Sequence, residues 1–539
     1  MADLLTSEQM RAVERDAIDR GAVTGLELME RAGRAAVDAI FAEWPELERG
    51  GRHALILCGP GNNGGDGFVV ARLLAERHWM VRTCFYGNPD TLPPDARTAF
   101  DRWEKVRRHP TLGLPDLGTA ATSDCDLIVD ALFGIGLSRP LEDDLQSALN
   151  KLDTQHSEGV IPRVALDIVS GLCADSGRPL SEDADTDTDH LRSRHNLTVA
   201  FHAAKPGHYL SEGPDWCGKI RVVDIGLGLN LHRPEGTIGL AGTDFAFRLL
   251  KGNRRDAMPR AHKYDYGHAL VLSGGVGRGG AARMAARGAL RVGAGLVTVG
   301  CPPAALIENA ARLDAIMLRP VRDAEALLDL LSDARINAVA IGPGLGTAER
   351  EAHLVDAVLG TLSPGGRGAR SVVLDGDALT LLSKCEAPFA LLTERCVLTP
   401  HAGEFARLFP DIAGRLGETP RNGPAYSKVD AVREAAARAR CVVLLKGPDT
   451  VIADAAGNAV VNAAAYERYA PWLATAGSGD VLAGFVAGLL ARGFPPMDAA
   501  AKGAWLHIEC ALAFGPGLVA EDLPEQLPSV FARLAGNVE

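Results

Sequence analysis

The sequence predicts an α/β protein of two domains, each built on a layered sheet, and three observations support this prediction. The chain has 539 residues, which is more than one hydrophobic core usually supports. Apolar strand patterns alternate with helix patterns in both halves. Each half also contains a strand followed directly by a glycine-rich turn and a helix, an arrangement typical of parallel sheets that bind nucleotides.

Composition limits the class of protein. A net charge of -12 and a pI near 5.7 argue against a nucleic-acid-binding surface. The 10 cysteines are scattered without a C-x-x-C pair, which is typical of reduced thiols in the cytoplasm. The first residues lack the apolar core of a signal peptide, and no apolar run approaches the roughly 20 residues that span a bilayer. We therefore expect a cytoplasmic protein without a nucleic-acid or membrane partner.

The first half begins with two predicted helices. Thr6 and Gln9 have the spacing of a capping box at the start of an amphipathic helix. A second helix is predicted from Leu26 to about Trp44. The apolar strand His53–Cys58 follows, then the loop GPGNNGGDG at residues 59–67, and then a helix predicted for residues 68–79.

The glycine loop has the spacing G-x-G-x-x-G but is not an ordinary dinucleotide fingerprint. The next predicted strand, residues 81–86, lacks the acidic residue that such a site needs at its end. Asn62, Asn63 and Asp66 instead supply oxygen atoms that suit a sugar phosphate or a hard cation. A tight structural turn is the alternative interpretation. The prediction is a Rossmann-like three-layer sheet with a different ligand.

Two later strands of the first half each end in an aspartate. Asp130 ends one strand, and Asp167 ends the next and is followed by Ser170. A single aspartate at a strand end is usually a turn or cap residue. Because the carboxyl ends of parallel strands meet at one edge of a sheet, Asn63 and these three side chains are predicted to lie together.

Several first-half motifs resemble the NAD(P)H-hydrate epimerase domain over about residues 1–230: LTSEQMRAVERDAI, LELMERAG, GPGNNGGDG, DALFGIGL and Asp-x-x-Ser-Gly. The resemblance implies that Asp167 is the acid/base residue that opens and recloses a hydrated nicotinamide ring. It implies K⁺ ligands at Asn63, Asp130 and Ser170. It also implies a set of substrate-binding residues: Asn62, Asn63, Gly64, Gly65, Asp66, Gly134, Ile135, Gly136, Leu137, Ser138, Arg139, Pro140 and Asp167.

The first half departs from that family at one residue and in one segment. Val169 replaces a usual proline, and the aspartate-rich residues 181–194 have no counterpart and receive no function. A domain boundary is predicted between the halves, with one domain at residues 1–235, a connector at 236–255 and a second domain at 256–539. The connector is predicted to hold a short helix at residues 245–250.

The second half repeats the alternation of strands and glycine turns. The strand His268–Leu272 leads into the glycine-rich residues 273–280 and an alanine-rich helix. The spacing G-x-G-x-x-G occurs again, and again the next strand ends without an acid. Further strands are predicted to end in GPGLG, DGDAL, TPHAGE and KGPDT.

The stretch ATAGSGDVLAG, residues 474–484, predicts a glycine turn that begins a helix. The unpaired N–H groups at such a helix start bind phosphate. Asp480 would be repelled by a phosphate there, so we interpret it as a proton acceptor. A simple helix cap is the alternative. The helix is predicted to end at Gly493, ahead of two prolines.

These second-half motifs, in this order, resemble the ADP/ATP-dependent NAD(P)H-hydrate dehydratase of the ribokinase-like superfamily over about residues 255–535. The resemblance implies that Asp480 is the base. It implies that Ala281, Gly344, His401 and Asp480 contact the hydrated dinucleotide. It assigns ADP binding to Lys446, Gly447, Pro448, Asp449, Thr450 and Gly479. The sequence departs from the family pattern at three places: Ala402, Ala476 and the segment YERYAPWL at residues 466–473.

Together the two resemblances imply one function, the repair of hydrated NADH and NADPH. The first domain would interconvert the R and S hydrates with the help of K⁺. The second, a ribokinase-like α/β sheet, would dehydrate the S form with ADP or ATP and Mg²⁺. NADHX, NADPHX and the nucleotide are the expected partners, and a homo-oligomer is expected.

Two alternatives remain at this point. The second half shares its sheet and GxGD loop with small-molecule kinases of the hydroxyethylthiazole and pyridoxal type, and such a kinase would release a stable phosphorylated alcohol. The first half would then serve only for binding, as in scaffolds that use this domain as an interaction module.

Overall fold

The computed structural model describes residues 2–113, 125–155, 161–182, 194–228, 234–242, 262–362 and 370–536. The chain divides into two compact units. The N-terminal unit consists of residues 3–237 and 418–427, and the C-terminal unit of residues 1–2, 238–417 and 428–539. The predicted helix at 245–250 and most of the acidic loop at 181–194 lie outside the described residues.

The N-terminal unit contains a parallel sheet of six strands in the order β3-β2-β4-β5-β6-β7, counted over the described residues. The chain begins with a short strand β1 (Ala2–Leu4). The strands of the sheet are β2 (His53–Cys58), β3 (Met80–Phe85), β4 (Leu127–Ala131), β5 (Arg163–Leu166), β6 (Leu197–Phe201) and β7 (Lys219–Val223). The order reverses direction between β2 and β4, which creates a crevice at the carboxyl ends of these strands.

Helices cover both faces of this sheet. They are α1 (Ser7–Asp19), α2 (Gly25–Glu43), α3 (Asn62–Glu76), α4 (Pro94–Glu104), α5 (Asp143–Gln155) and α6 (Gly213–Trp216). Along β2, Ile56 packs in the core beneath α2 and α3, while Leu55 and Leu57 pack with Leu145 of α5 on the other face. Burial on both faces explains why β2 is a continuous apolar run. The capping box of Thr6 and Gln9 is confirmed.

The start of α3 corrects the prediction from sequence. The helix was predicted to begin at residue 68, but it begins at Asn62, directly after the extended Gly61. Glycine has a poor helix propensity, so the pattern indicated a longer loop. Close packing overrides that propensity, since a Cβ at Gly64 would lie 1.9 Å from the carbonyl oxygen of Gly59. Most of the predicted loop is therefore the first turns of a helix.

The strands β8 to β17 form the sheet of the C-terminal unit, in the order β8-β17-β16-β15-β14-β13-β12-β9-β10-β11 over the described residues. Strands β9 to β15 pair in parallel, and β16 pairs antiparallel with both neighbours. The strands are β8 (Ile238–Leu240), β9 (His268–Leu272), β10 (Leu296–Cys301), β11 (Met317–Pro320), β12 (Ile336–Ile341), β13 (Ser371–Leu374), β14 (Cys396–Leu398), β15 (Val442–Leu445), β16 (Asp449–Ala453) and β17 (Ala459–Ala463). The predicted α/β class with two layered sheets is confirmed.

The helices of the C-terminal unit surround this sheet. They are α7 (Gly280–Arg291), α8 (Leu306–Ala310), α9 (Ala324–Leu330), α10 (Glu349–Gly360), α11 (Asp377–Leu382), α12 (Ala402–Leu408), α13 (Pro410–Gly417), α14 (Lys428–Ala439), α15 (Ser478–Ala491), α16 (Pro496–Phe514) and α17 (Asp522–Gly536). Helix α15 is buried along nearly its whole length and packs against α7 and α16. Its predicted stop is confirmed by Gly493, which has a φ of 88°.

Within the described part of the chain, no helix has the length and apolar character needed to cross a membrane. Strand β8 lies inside the range predicted as a connector and belongs to the C-terminal unit. The boundaries at residues 235 and 256 stay a prediction.

Candidate active site

A pocket of about 540 Å³ opens at the carboxyl ends of β2, β4 and β5 in the N-terminal unit. Of the residues predicted to bind substrate, these line it: Asn62, Asn63, Asp66, Gly134, Ile135, Gly136 and Asp167. A Cβ placed on Gly134 would lie 3.3 Å from both the Asn63 Cγ and the Asp167 Oδ2. The structure therefore brings the asparagine loop, the Gly134 loop and Asp167 together.

Asp167 adopts a left-handed backbone conformation with a φ of 67°. A non-glycine residue rarely does so, and such strain is concentrated at functional sites. Its N–H donates to the Val199 carbonyl over 2.8 Å, and its carboxylate forms a buried ion pair with Lys205. The side chain is thus held at a fixed place on the pocket wall.

Lys205 and His208 complete this support and were not predicted. His208 Nδ1 accepts the Lys205 N–H over 3.1 Å, so its Nε2–H donates to the Asp167 carbonyl over 2.9 Å. Burial, together with the charge of Lys205, lowers the pKa of His208 to about 4. His208 is therefore neutral near pH 7. Both residues lie in the motif KPGH, which follows β6. No local sequence pattern indicates that this motif supports the site.

Asn63 is the unusual polar group of this site. Its Oδ1 and Nδ2 are buried, and neither has a hydrogen-bond partner among the described residues. A buried amide without a partner costs free energy, which a ligand would offset. Asp130 and Ser170 are buried and joined directly, because Ser170 donates to the Asp130 carboxylate from its Oγ over 2.7 Å and from its backbone N–H over 2.9 Å.

Some predicted substrate-binding residues lie outside the pocket lining. Gly64 and Gly65 are buried in packing contacts, the latter against Met29. Leu137 is buried in an apolar cluster with Cys173 and Ala425, and Arg139 is exposed beside Glu142. Ser138 is exposed and Pro140 is half-buried at the surface. The structure thus places residues 134–136, but not residues 137–140, on the pocket wall.

The second candidate site lies at the start of α15 in the C-terminal unit. Gly477 is the residue before the helix, with a φ of 89° and no side-chain cap, and Asp480 lies in the first turn. Asp480 therefore does not cap its helix. The N–H groups of Gly479 and Asp480 donate to no residue that the structure describes, which leaves them available to an anion.

Asp480 lies among acidic side chains. Burial raises its pKa to about 6, as do the charges of Asp375, Asp377 and Glu404, while Lys446 opposes the shift. A carboxylate with a pKa near neutrality is suited to accept a proton and release it again.

Lys446 is the cation of this cluster, not a solvated surface charge. Its Nζ is 2.7 Å from Asp375 Oδ1 and 3.9 Å from Glu404 Oε2. Burial alone would lower its pKa, but these acidic neighbours outweigh burial and raise it. A Cβ on Gly479 would lie 3.3 Å from the Lys446 Nζ, so the ammonium group lies beside the start of α15.

The other predicted residues lie on neighbouring loops. Cβ positions place Ala281 and Gly344 3.2 Å apart, and the exposed His401 caps α12. Glu404 accepts the His401 N–H over 2.8 Å, which turns its carboxylate toward Lys446.

The loop after β15, which is predicted to bind the nucleotide, is held by contacts among its own residues and with Lys428. Gly447 and Pro448 are exposed, and the Thr450 Oγ1 donates to the Gly447 carbonyl over 2.8 Å. Asp449 is paired with Lys428 over 2.6 Å. Asp375 and Glu404, which set the charge around Asp480, were not predicted as site residues, although the strand ending in acids was noted.

The fold and the two carboxylate sites are those of an α/β enzyme with one candidate site in each unit. The family described as NAD(P)H-hydrate dehydratase matches residues 269–529, and the family described as YjeF-related protein N-terminus matches residues 25–207. The bifunctional NAD(P)H-hydrate repair enzyme of Coxiella burnetii is 36% identical over 511 residues, which is 94% of each chain. The chain belongs to the family of bifunctional NAD(P)H-hydrate repair enzymes, which unites an isomerase with a lyase.

Some relatives match only one half of this chain. The NAD(P)H-hydrate epimerase of Rhodobacter capsulatus is 45% identical over 215 residues, which cover 39% of this chain and 92% of the relative. The solved ADP/ATP-dependent NAD(P)H-hydrate dehydratase of Bacillus subtilis, co-crystallised with ATP/Mg²⁺, is 26% identical. It covers 57% of this chain and 100% of its own, with a TM-score of 0.43. The kinase alternative is not favoured, since the family matched in the second half is a dehydratase.

Proposed function

We propose that the N-terminal unit interconverts the R and S hydrates of NADH and NADPH, with Asp167 as the proton shuttle. The support is the pocket in which the strained, Lys205-paired Asp167 faces the unpartnered amide of Asn63. Opening the hydrated ring removes the proton of the hydroxyl group, forms a carbonyl and breaks the bond from that carbon to the ring nitrogen. Rotation and reclosure then give the other epimer.

K⁺ is proposed to bind at Asn63, Asp130 and Ser170. The Asn63 Oδ1 is a buried acceptor without a described partner, and the Asp130 carboxylate supplies charge. The Ser170 Oγ accepts the Phe133 N–H over 3.0 Å and keeps one lone pair. This set of oxygen atoms fits a hard monovalent cation, which would hold a substrate phosphate and the two loops together.

The C-terminal unit is proposed to dehydrate the S hydrate at the expense of ADP or ATP. Asp480 takes the proton of the substrate hydroxyl while that oxygen attacks the terminal phosphorus and the nucleotide leaves, shortened by one phosphate. The phosphate group then departs as the nitrogen lone pair forms a C=N⁺ bond, and loss of a proton from the neighbouring ring carbon converts this iminium into the C=C bond of the dihydronicotinamide. The free N–H groups at the start of α15 and the Lys446 ammonium would stabilise the phosphate charge.

Mg²⁺ is proposed to enter with the nucleotide, bound to its phosphate oxygens. No group of three or more His, Cys, Asp or Glu side chains among the described residues is arranged to hold a metal ion. Such a site agrees with the preference of Mg²⁺ for phosphates and water over an all-protein cage. A homo-oligomer and a cytoplasmic location stay predictions.

The experiment compares Asp167→Asn and Asp480→Asn on purified R and S hydrates with ADP, with ATP and with neither. We expect Asp480→Asn to abolish recovery of nicotinamide absorbance while R and S still interconvert. Asp167→Asn should slow interconversion and leave dehydration of the S form intact. Loss of both activities in either variant contradicts separate sites, and a stable phosphorylated product would support the kinase alternative.

A further inference from the structure

One face of helix α1 forms a wall of the epimerase pocket. Met10, Arg11, Glu14 and Ile18 line the pocket, and their spacing of three and four residues places them on one side of the helix. The Arg11 guanidinium donates to the Ile135 carbonyl over 3.1 Å. This contact fixes the helix against the Gly134 loop, so that Glu14, less than one turn further along, faces the same cavity as Asp167.

The Glu14 carboxyl group is not explained by packing. No hydrogen bond or ion pair joins it to another residue in the described ranges, although Glu14 is half-buried. Burial and the charge of Asp167 raise its pKa, Lys205, Arg11 and Arg15 oppose the shift, and the resulting pKa is about 6. Glu14 therefore changes its protonation state near neutral pH, close enough to Asp167 to be affected by its charge.

The other carboxyl groups of the pocket are less suited to exchange protons. Burial raises the pKa of Asp66 well above its usual value, as do the charges of Asp167 and Glu14, so the surroundings of Asp66 oppose its ionised form. Asp95 also lines the pocket, but its carboxylate lies directly against Gly25, 2.2 Å from where a Cβ of that residue would be. Among the described carboxyl groups that line the pocket, Glu14 combines a place on the wall with nearby cations, Lys205 and Arg11, whose charges oppose the effect of burial.

Ring opening requires two proton transfers at different atoms. The hydroxyl oxygen loses a proton as the carbonyl forms, and the ring nitrogen gains one as its bond to carbon breaks. Asp167 accounts for the first transfer only. A group that is protonated when Asp167 is ionised is needed for the second, and reclosure reverses both steps.

We propose that Glu14 is this second group: it donates a proton to the ring nitrogen as the carbon–nitrogen bond breaks and takes the proton back when the ring recloses. Asp167 takes the hydroxyl proton and returns it to the carbonyl oxygen, so both carboxyl groups end each turnover in their starting state. This assignment rests on the ring-opening epimerisation proposed above.

The test compares Glu14→Gln, Glu14→Asp and Glu8→Gln in the full chain. Glu8 is exposed on the same helix and does not line the pocket, so its variant is the matched control. Interconversion of purified R and S NADHX is followed by chromatography without ADP, and dehydration of S-NADHX with ADP shows that each variant is folded. We expect Glu14→Gln to lower kcat for interconversion by about 100-fold or more with little change in KM. Glu14→Asp should recover part of the rate, and Glu8→Gln should match the wild type.

The pH profile separates proton transfer from a structural role. Activity that needs protonated Glu14 decreases as pH rises above about 6, and Glu14→Gln should lack this decrease while Glu14→Asp keeps it. A Glu14→Gln rate within threefold of the wild type, a loss confined to KM, or an unchanged pH profile overturns the assignment. If Asp167→Asn interconverts the epimers as fast as the wild type, the proposed ring opening itself fails, whatever Glu14→Gln does.

Discussion

At the scale of single residues, the two aspartates work in opposite electrostatic surroundings. Asp167 has a buried ammonium partner in Lys205 and a backbone held by two hydrogen bonds. Asp480 lies among Asp375 and Glu404, with Lys446 as the opposing charge. An ammonium group lies beside the Asp167 carboxylate, whereas burial and acidic neighbours bring the pKa of Asp480 to about 6. Each aspartate thus has a lysine nearby, Lys205 beside Asp167 and Lys446 near Asp480.

Lys446→Met should move the pH dependence of dehydration upward. Asp480 must be ionised to accept a proton, so the rate rises with pH through about 6 in the wild type. Removing the ammonium that opposes the shift should raise this midpoint by about 1 unit or more. The rate is measured from pH 5 to 9 at saturating ADP, because Lys446 is also expected to bind the nucleotide. Lys384→Met, at an exposed site, is the control, and an unmoved midpoint in Lys446→Met would contradict the assignment.

Asp480→Asn should stabilise the C-terminal unit at high pH. Burial and nearby acidic groups raise the pKa of Asp480 from an ordinary value of 3.8 to about 6 in the folded protein, so folding disfavours the charged form. That cost is absent below pH 4, develops between pH 4 and 6, and reaches at most about 3 kcal/mol above pH 6. Thermal unfolding should therefore occur at a higher temperature in the variant at pH 8, and the difference should disappear toward pH 4. A constant difference at both pH values would exclude this cause.

Residues at strand ends could be predicted, and residues that support them could not. Asp167 directly follows an apolar strand, and Asp480 follows a glycine turn at the start of a helix, and both patterns can be recognised from the sequence alone. Glu14, Lys205 and Glu404 reach the same sites from helices and loops elsewhere in the chain. The amphipathic pattern of α1 predicts a helix, but it does not say which sheet edge the polar flank will face.

At the scale of elements, the strands are the most predictable part of the fold. β2 and β9 have the predicted bounds, because each is a short apolar run between turn residues. The predicted start of α3 was wrong because the helix propensities of single residues do not include the close approach of backbone atoms. Residues 59 and 64 must be glycines because a Cβ would clash with nearby backbone atoms. These atoms belong to Leu132 in the case of Gly59 and to Gly59 in the case of Gly64.

Gly64→Ala should disrupt the glycine turn, and Gly61→Ala should not. A Cβ at Gly64 would lie 1.9 Å from the Gly59 carbonyl oxygen, whereas a Cβ at Gly61 meets nothing within 4 Å. We expect Gly64→Ala to destabilise the N-terminal unit by about 3 kcal/mol or more, since backbone must move to relieve the clash. Thermal unfolding and epimer interconversion are measured for both variants. Equal unfolding temperatures for the two would refute the packing explanation.

At the scale of the whole molecule, the N-terminal unit is built from two separate stretches of chain. Residues 418–427, which follow α13, belong to it. The Gly423 N–H donates to the Ser138 carbonyl over 3.0 Å, and the Ser181 N–H donates to the Pro420 carbonyl over 3.0 Å. Ala425 is buried beside Leu137. The loop that begins at Gly134 is therefore supported by residues far along the sequence.

A fragment of residues 1–237 should fold but be less stable than the same unit in the full chain. A relative 45% identical over 215 residues exists as a separate epimerase, so the first half is a complete folding unit there. Here the fragment loses at least two backbone hydrogen bonds and a buried methyl group, worth roughly 2–4 kcal/mol. The measurement is thermal unfolding of the fragment alone, with a peptide of residues 418–427, and with a scrambled peptide. A fragment unaffected by the native peptide would contradict the role of this segment.

The route of the chain through residues 418–427 also has a consequence for biosynthesis. A ribosome that has finished Thr237 must add roughly 190 more residues before Ser427 joins the chain, on the order of 10 to 40 s at typical elongation speeds. During that interval the Ser138 carbonyl and the Ser181 N–H lack the partners that Gly423 and Pro420 later supply. The last step of its maturation therefore waits for most of the second half to be translated, which ties the appearance of the two activities in time.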